Sequence, residues 1–172
     1  NESLLHLTDV SFIKNKAAAG GAFMSQGGEN TLTVTEGKTS LFSGNRAGDE
    51  SNAVYLFSYI YADNRSSDLS ITTETGALLD MRDAIGGEAG SINYPGECAI
   101  NINKEGPGIW RLGGENKFSS FGNDEKGYGK TLFHINEGTF YLYYESEVEN
   151  PAVDDTTAKV TRADLTIEGR NS

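Results

Sequence analysis

Five short stretches constrain this chain more than anything else in it. Leu32-Val34, Leu69-Ile71, Ile100-Ile102, Phe133-Ile135 and Leu165-Ile167 each set two apolar residues two apart with a polar residue between. That is the pattern of a strand with one buried face. Each is followed within a few residues by glycine, at Gly37, Gly76, Gly106, Gly138 and Gly169. The second apolar residues (Val34, Ile71, Ile102, Ile135 and Ile167) lie 37, 31, 33 and 32 residues apart. A recurrence on the scale of about 20–50 residues is the mark of stacked repeats, each too small to bury its own hydrophobic face. The sequence therefore predicts an all-β solenoid running through residues 1–172 as one segment.

Composition agrees with a packed β structure. The 172 residues are 37% hydrophobic and include 8 Phe, 8 Tyr and 1 Trp, too much apolar and aromatic material for a disordered tail. Glycine is abundant, 21 residues against 3 prolines, which suits many tight turns between short strands. Helical periodicity is scarce, and only residues 77–85 predict a short helical turn. The net charge of −11 argues against nucleic acid and anionic membrane surfaces as partners. No apolar run approaches the roughly 20 residues of a membrane helix, so membrane insertion by this segment is not expected. Cys98 is the only cysteine, which excludes a disulfide within the chain and a zinc ribbon. The start at Asn1 without methionine, and the end at Gly169-Arg170-Asn171-Ser172, read as those of a fragment or processed segment.

Two units match one another in detail. Phe12-Ile13-Lys14-Asn15 is followed by Gly20-Gly21-Ala22, and Phe42-Ser43-Gly44-Asn45 by Ser51-Asn52-Ala53. In a parallel β-helix the Phe of each unit would point inward onto its counterpart. The Asn would sit at a corner, tolerating left-handed backbone angles and bonding along a ladder.

Phe-x-x-Asn followed by Gly-Gly-Ala resembles the repeats of polymorphic outer membrane proteins and related autotransporter passenger domains of Gram-negative bacteria. Three later segments resemble the same superfamily's passenger stem. They are Leu78 to Gly87, Gly108-Ile109-Trp110-Arg111-Leu112-Gly113-Gly114-Glu115-Asn116, and Thr131 to Leu142 with its Gly138-Thr139 step. Ser51-Asn52-Ala53 departs from the family's Gly-Gly-Ala, so only the first unit matches fully. The resemblance implies a right-handed parallel β-helix, exported across two membranes and displayed at the cell surface or secreted, with a C-terminal barrel outside these residues. Members are mostly adhesins, with some proteases and other toxins.

Catalytic and metal chemistry finds little support. Glu36-Gly37-Lys38-Thr39 resembles the end of a phosphate loop, but the glycine needed five residues before Gly37 is Leu32. His6 and His134 lack the serine setting of a protease triad, and alternation turns His134 outward if Phe133 and Ile135 point inward. Asn123-Asp124-Glu125 and Asp154-Asp155 gather oxygen ligands without the spacing of a calcium loop. Asp80 and Asp83 are the nearest approach to a glycosidase carboxylate pair, and solvated turn residues explain them better. No catalytic residue, cofactor or metal is assigned. Residues 145–163, acidic and with a proline, read as an excursion from one turn to the next.

The aromatic stretches carry the binding expectation. In Phe140-Tyr141-Leu142-Tyr143-Tyr144, alternation puts Phe140, Leu142 and Tyr144 on one face, and Tyr141 and Tyr143 on the other. Tyr55, Phe57, Tyr59 and Tyr61 share a face in the same way. If the two stretches stack on neighbouring turns, Tyr55, Tyr59, Tyr61, Tyr141 and Tyr143 form an exposed strip able to contact a host protein or glycan. The expected function is a non-enzymatic surface-exposed passenger segment, an adhesin or rigid stalk, with self-association through exposed β-helix ends as a further expectation. The alternatives are a β-helix glycan lyase or hydrolase, and an accessory all-β carbohydrate-binding domain.

Overall fold

The computed structural model describes residues 4–59, 66–90, 98–123, 127–142 and 165–167. Strands make up 66% of the structure, helix is absent among the described residues, and parallel sheets stack as a β-solenoid of about four turns. Each turn contributes one strand to each of three sheets. The first sheet stacks Leu4–Thr8, Gly28–Val34, Ser67–Thr73, Ala99–Glu105 and Lys130–Ile135. The second stacks Phe12–Ile13, Thr39–Ser43, Leu78–Met81, Ile109–Leu112 and Thr139–Leu142. The third stacks Phe23–Gln26, Val54–Tyr59, Ile85–Gly90, Asn116–Asn123 and Leu165–Ile167. All these neighbours pair in parallel.

The repeat is real, but its register differs in two places from the spacing of the sequence pattern. Leu32, Ile71 and Lys104 form one inward column with Ile135 at its exposed end, and Asn30, Leu69, Ile102 and Phe133 form another. Val34 therefore aligns with Thr73 rather than Ile71, and Ile102 aligns with Leu69. Leu165–Ile167 does not join the first sheet at all; it pairs with Asn116–Phe118 in the third. Alternation fixes which face a residue takes, but a slip of two residues keeps every face unchanged, so periodicity cannot detect it. The expected helical turn at 77–85 is instead the strand Leu78–Met81, a three-residue corner, and the start of Ile85–Gly90. Its neighbours on both sides, Thr39–Ser43 and Ile109–Leu112, supply ladder partners that outweigh local helix preference.

The core runs unbroken through the stack, from Leu32, Val34 and Phe42 through Leu69, Ile71 and Leu79 to Ile102, Trp110 and Phe118. Its far end is aromatic. Trp110 and Phe140 rings lie 4.5 Å apart, Phe118 and Phe133 5.7 Å in an edge-on contact, and Phe133 and Phe140 6.4 Å. The turn after each first-sheet strand from the second onward is closed by a glycine in the left-handed region, and Asp9 (φ 52°) takes that conformation after Leu4–Thr8. The glycines are Gly37, Gly76, Gly106 and Gly138, at φ 66°, 69°, 74° and 79°. At Gly106 a Cβ would also lie 2.5 Å from the Thr73 carbonyl oxygen, so both conformation and close stacking require glycine there.

Candidate functional site

Neighbouring turns are tied at their corners by side chains, and these ties decide what the molecule can do. The expected inward stacking of Phe12 on Phe42 is present, with ring centroids 5.1 Å apart. Asn45 Oδ1 accepts from the Asn15 backbone N–H and from Asn15 Nδ2, at 3.2 and 2.9 Å. Asn45 Nδ2 donates in turn to the Phe12 carbonyl at 2.8 Å and to Asp83 Oδ2 at 2.7 Å. Asp83 also accepts the backbone N–H groups of Gly44 (2.8 Å) and Asn45 (2.9 Å). The ladder thus runs over three turns and ends on a carboxylate. The left-handed residues at this corner are Lys14 (φ 57°) and Gly44 (φ 72°), one position before each asparagine.

Asp80 and Asp83 are therefore not solvated turn residues. Both are buried. Asp83 is committed to the corner, and Asp80 accepts from Arg82 Nε at 2.9 Å on the outer side of the second sheet. Both carboxylates are thus engaged in hydrogen bonds or an ion pair within the structure.

A second tie went unread in the sequence. Lys104 is fully buried, and its ammonium donates to three backbone carbonyls: Glu105 at 2.7 Å, Gly106 at 2.6 Å and, one turn on, Glu137 at 3.1 Å. Burial lowers its pKa, while the charges of Glu137 and Glu105 oppose that shift. The signal was present in the alternation, since Lys104 continues the inward parity of Ile100 and Ile102. The same corner carries Asp9, whose carboxylate accepts from Thr35 Oγ1 and N at 2.6 and 2.7 Å. These bonds hold its pKa below the ordinary value. Further along it, Glu74 accepts the Glu36 N–H at 2.9 Å, and Asn136 donates to Glu105 at 2.6 Å. In the Glu36-Gly37-Lys38-Thr39 stretch, Lys38 is exposed on this turn.

Of the five aromatic site residues, Tyr55 and Tyr141 lie on different sheets. Tyr55 lies in the third sheet on the second turn, whereas Tyr141 lies in the second sheet, beside Arg111 on the last turn. Different sheets face different directions, so the described strands Val54–Tyr59 and Thr139–Leu142 do not stack on each other. Tyr141 does point outward, 43% exposed, with Phe140 and Leu142 packed against the core. Tyr59 occupies a strand position opposite Gly90. Tyr61, Tyr143, Asp124, Asp154, Asp155 and the 145–163 excursion lie outside the described residues. His6 and His134 are both exposed on the outer side of the first sheet, as alternation required. Cys98 is buried, its Sγ 3.3 Å from the Gly90 carbonyl.

Instead, a different aromatic face emerges on the outside of the third sheet. Val54, Leu56 and Ile85 point inward, so Tyr55 and Phe57 point outward, as do Gly86, Glu88 and Gly90 on the next turn. Phe121 faces out opposite Gly90, where a Cβ would lie 2.8 Å from its Cγ. Asn52 Nδ2 would stand 3.3 Å from a Cβ at Gly86, so the departure from Gly-Gly-Ala puts an amide over that glycine. Glu88 is the charged neighbour of the Tyr55 hydroxyl.

Burial first, and then Glu88 as hydrogen-bond partner and neighbouring charge, raise the Tyr55 pKa well above its ordinary value. Above about pH 10 the unfolded chain has lost this proton while the native protein keeps it. Tyr55's contribution to stability is therefore complete below that pH. It declines as pH rises toward the folded value, by up to about 1.4 kcal/mol per pH unit. Tyr55→Phe is expected to remove this slope. Equilibrium unfolding of both proteins from neutral to strongly alkaline pH checks it, and parallel curves would show that neither burial nor Glu88 raises the phenol's pKa. Among the described residues no helix is long and apolar enough to cross a membrane, and no group of three or more His, Cys, Asp or Glu is placed to hold a metal ion. No protein-family model, curated protein or solved structure matches the chain.

Proposed function

We propose that this chain is a non-enzymatic segment of a surface-displayed passenger domain of the autotransporter kind, a rigid stalk or adhesin presenting a binding face to a host protein or glycan. The observation that carries the reading is the chain of side-chain ties between successive turns. Asp9 with Thr35, Asn15 with Asn45 and Asp83, Glu74 with Glu36, and Lys104 with the Glu137 carbonyl each join one turn to the next. Such ties resist shear and bending between turns, which a rod that holds a ligand-binding face away from a cell must do. The carboxylates of Asp80 and Asp83 likewise serve structure, Asp83 in the corner ladder and Asp80 beside Arg82. The resemblance of the Phe-x-x-Asn and Gly-Gly-Ala units to passenger repeats supplies the setting, the bacterial surface or the secreted fraction.

An antibody raised against the folded segment tests this on intact cells of the source organism. Labelling is expected without permeabilisation, and brief external protease treatment is expected to remove it. Labelling that appears only after permeabilisation, with none in the culture medium, would sink the reading.

A further inference from the structure

The outward face of the second sheet is apolar where that of the first is polar. On the first sheet, Ser70 and Thr72 on one inner strand and Asn101 and Asn103 on the next look outward. On the second sheet the corresponding positions include Leu41, Leu78 and Ile109, all half-buried. Ile13 and Tyr141 on its end strands are 52% and 43% exposed. A solenoid keeps such residues outside only at a cost in solvation, unless another surface covers them.

We propose that this face is the interface of a two-fold dimer, in which two copies of the chain lie side by side with their long axes antiparallel. The pattern across the strands carries the inference. One row along the stack reads Thr39, Leu78, Ile109, Thr139, and the next reads Leu41, Asp80, Arg111, Tyr141. The first row has the same chemistry from either end. The second sets apolar groups outside and opposite charges inside. A two-fold axis along the strands, midway between Leu78–Met81 and Ile109–Leu112, places each row against its own reverse. Leu78 then meets Ile109 of the partner subunit, Leu41 meets Tyr141 of the partner subunit, and Arg111 meets Asp80 of the partner subunit. The two sheets pack face to face at about 10 Å, as in a β-sandwich.

Charge complementarity selects a second copy as the occupant. At −11 two copies repel overall, so they associate only where the local charges cancel. On this face they do. Arg111 makes no ion pair among the described residues. The Asp80 carboxylate, held by Arg82 Nε, still shows 11% of its side chain to solvent, and an ionised carboxylate accepts about four hydrogen bonds. The long guanidinium arm reaches it from across the interface, where opposite charges fix the register. The two central strands are hydrogen-bonded on both sides, so docking is by side chains and not by an added strand. Five strands at about 4.8 Å, each showing four residues at about 3.3 Å, give a flat footprint on the order of 300 Å². A standard interface buries about 800 Å² per partner, so this dimer is weak and reversible, with a Kd on the order of 10⁻⁴ M.

Sedimentation equilibrium of the whole chain, from about 10 µM to about 1 mM, spans the expected Kd and tests this. The average mass is expected to rise toward that of two chains. Arg111→Glu, which sets like charges together, and Tyr141→Ala, which removes an exposed ring without touching the core, are each expected to weaken association about tenfold or more. His134→Ala on the outer side of the first sheet should leave it unchanged. Register is read by cross-linking with a short bismaleimide. An equal mixture of Thr39→Cys and Thr139→Cys should cross-link, whereas Thr39→Cys alone should not, since its two copies stand three strands apart. A chain that stays monomeric throughout, association that ignores both Arg111→Glu and Tyr141→Ala, or equal cross-linking of Thr39→Cys alone and of the mixture overturns the proposal. The dimer does not depend on cell-surface display, so a monomeric chain that still labels intact cells would sink the dimer while leaving the stalk reading standing.

Discussion

Replacing Trp110 by alanine is expected to lower the unfolding free energy by about 3–5 kcal/mol, the usual range for emptying a large aromatic site. Trp110 is fully buried and is the largest side chain of the column Ser40, Leu79, Trp110, Phe140. Its ring meets Phe140 at 4.5 Å, and through Phe140 it reaches the Phe133–Phe118 pair. Parallel strands pinned by ladder bonds above and below cannot close in to fill the hole, so collapse should recover little of the loss.

The phenylalanine variant separates shape from polarity. Trp110 Nε1 is buried without a hydrogen-bond partner. Trp110→Phe removes that orphan donor, worth about 1–3 kcal/mol, while losing part of the ring's volume. The two terms oppose, and the expected net cost is about 1 kcal/mol or less. Denaturant midpoints at unchanged slope measure both variants. If Trp110→Phe proves as damaging as Trp110→Ala, the indole nitrogen is satisfied in solution and the packing account of this position fails.

The sequence carried the fold well because its signals were of the kind that stacking enforces. An inward residue every second position and a glycine where the chain must turn with positive φ are local demands, visible at Ile100, Ile102 and Gly106 without knowledge of any partner. Register was less legible. Val34 and Ile71 share a face, yet belong to different columns, because corner lengths differ from turn to turn. The second turn passes from Ser43 to Val54 through an added hairpin at Arg46–Ser51, whereas the third needs only residues 82–84. The site was the least legible part. An outward aromatic face depends on which strands become neighbours, and Tyr141 could be placed beside Tyr55 only by knowing the sheet to which each belongs. Gly90 and Phe121, which make the face, carry no signal until they are paired.

Asp83 is the other position where one substitution should be costly, and it tests whether the corner ladder holds the turns together. Its carboxylate accepts three donors, Gly44 N, Asn45 N and Asn45 Nδ2, and the residue is only 5% exposed. Asp83→Ala leaves all three without an acceptor in a place water reaches poorly. Each buried unsatisfied donor costs about 1–3 kcal/mol, and partial relaxation of the corner brings the expected total to about 3–5 kcal/mol. Asp83→Asn keeps one carbonyl oxygen but turns an amide donor toward the others, so an intermediate loss is expected. A double-mutant cycle with Asn45→Ala should give a coupling energy of about 1–3 kcal/mol, since the first substitution already removes one donor and displaces another. Additive losses would mean that Asn45 and Asp83 act independently, and the ties between turns would then be no basis for a stiff rod. A coupling of the expected size places the resistance to bending in side chains at the corners rather than in the sheets alone, and it predicts that Asp83→Ala loosens the first two turns while the aromatic end stays protected from hydrogen exchange.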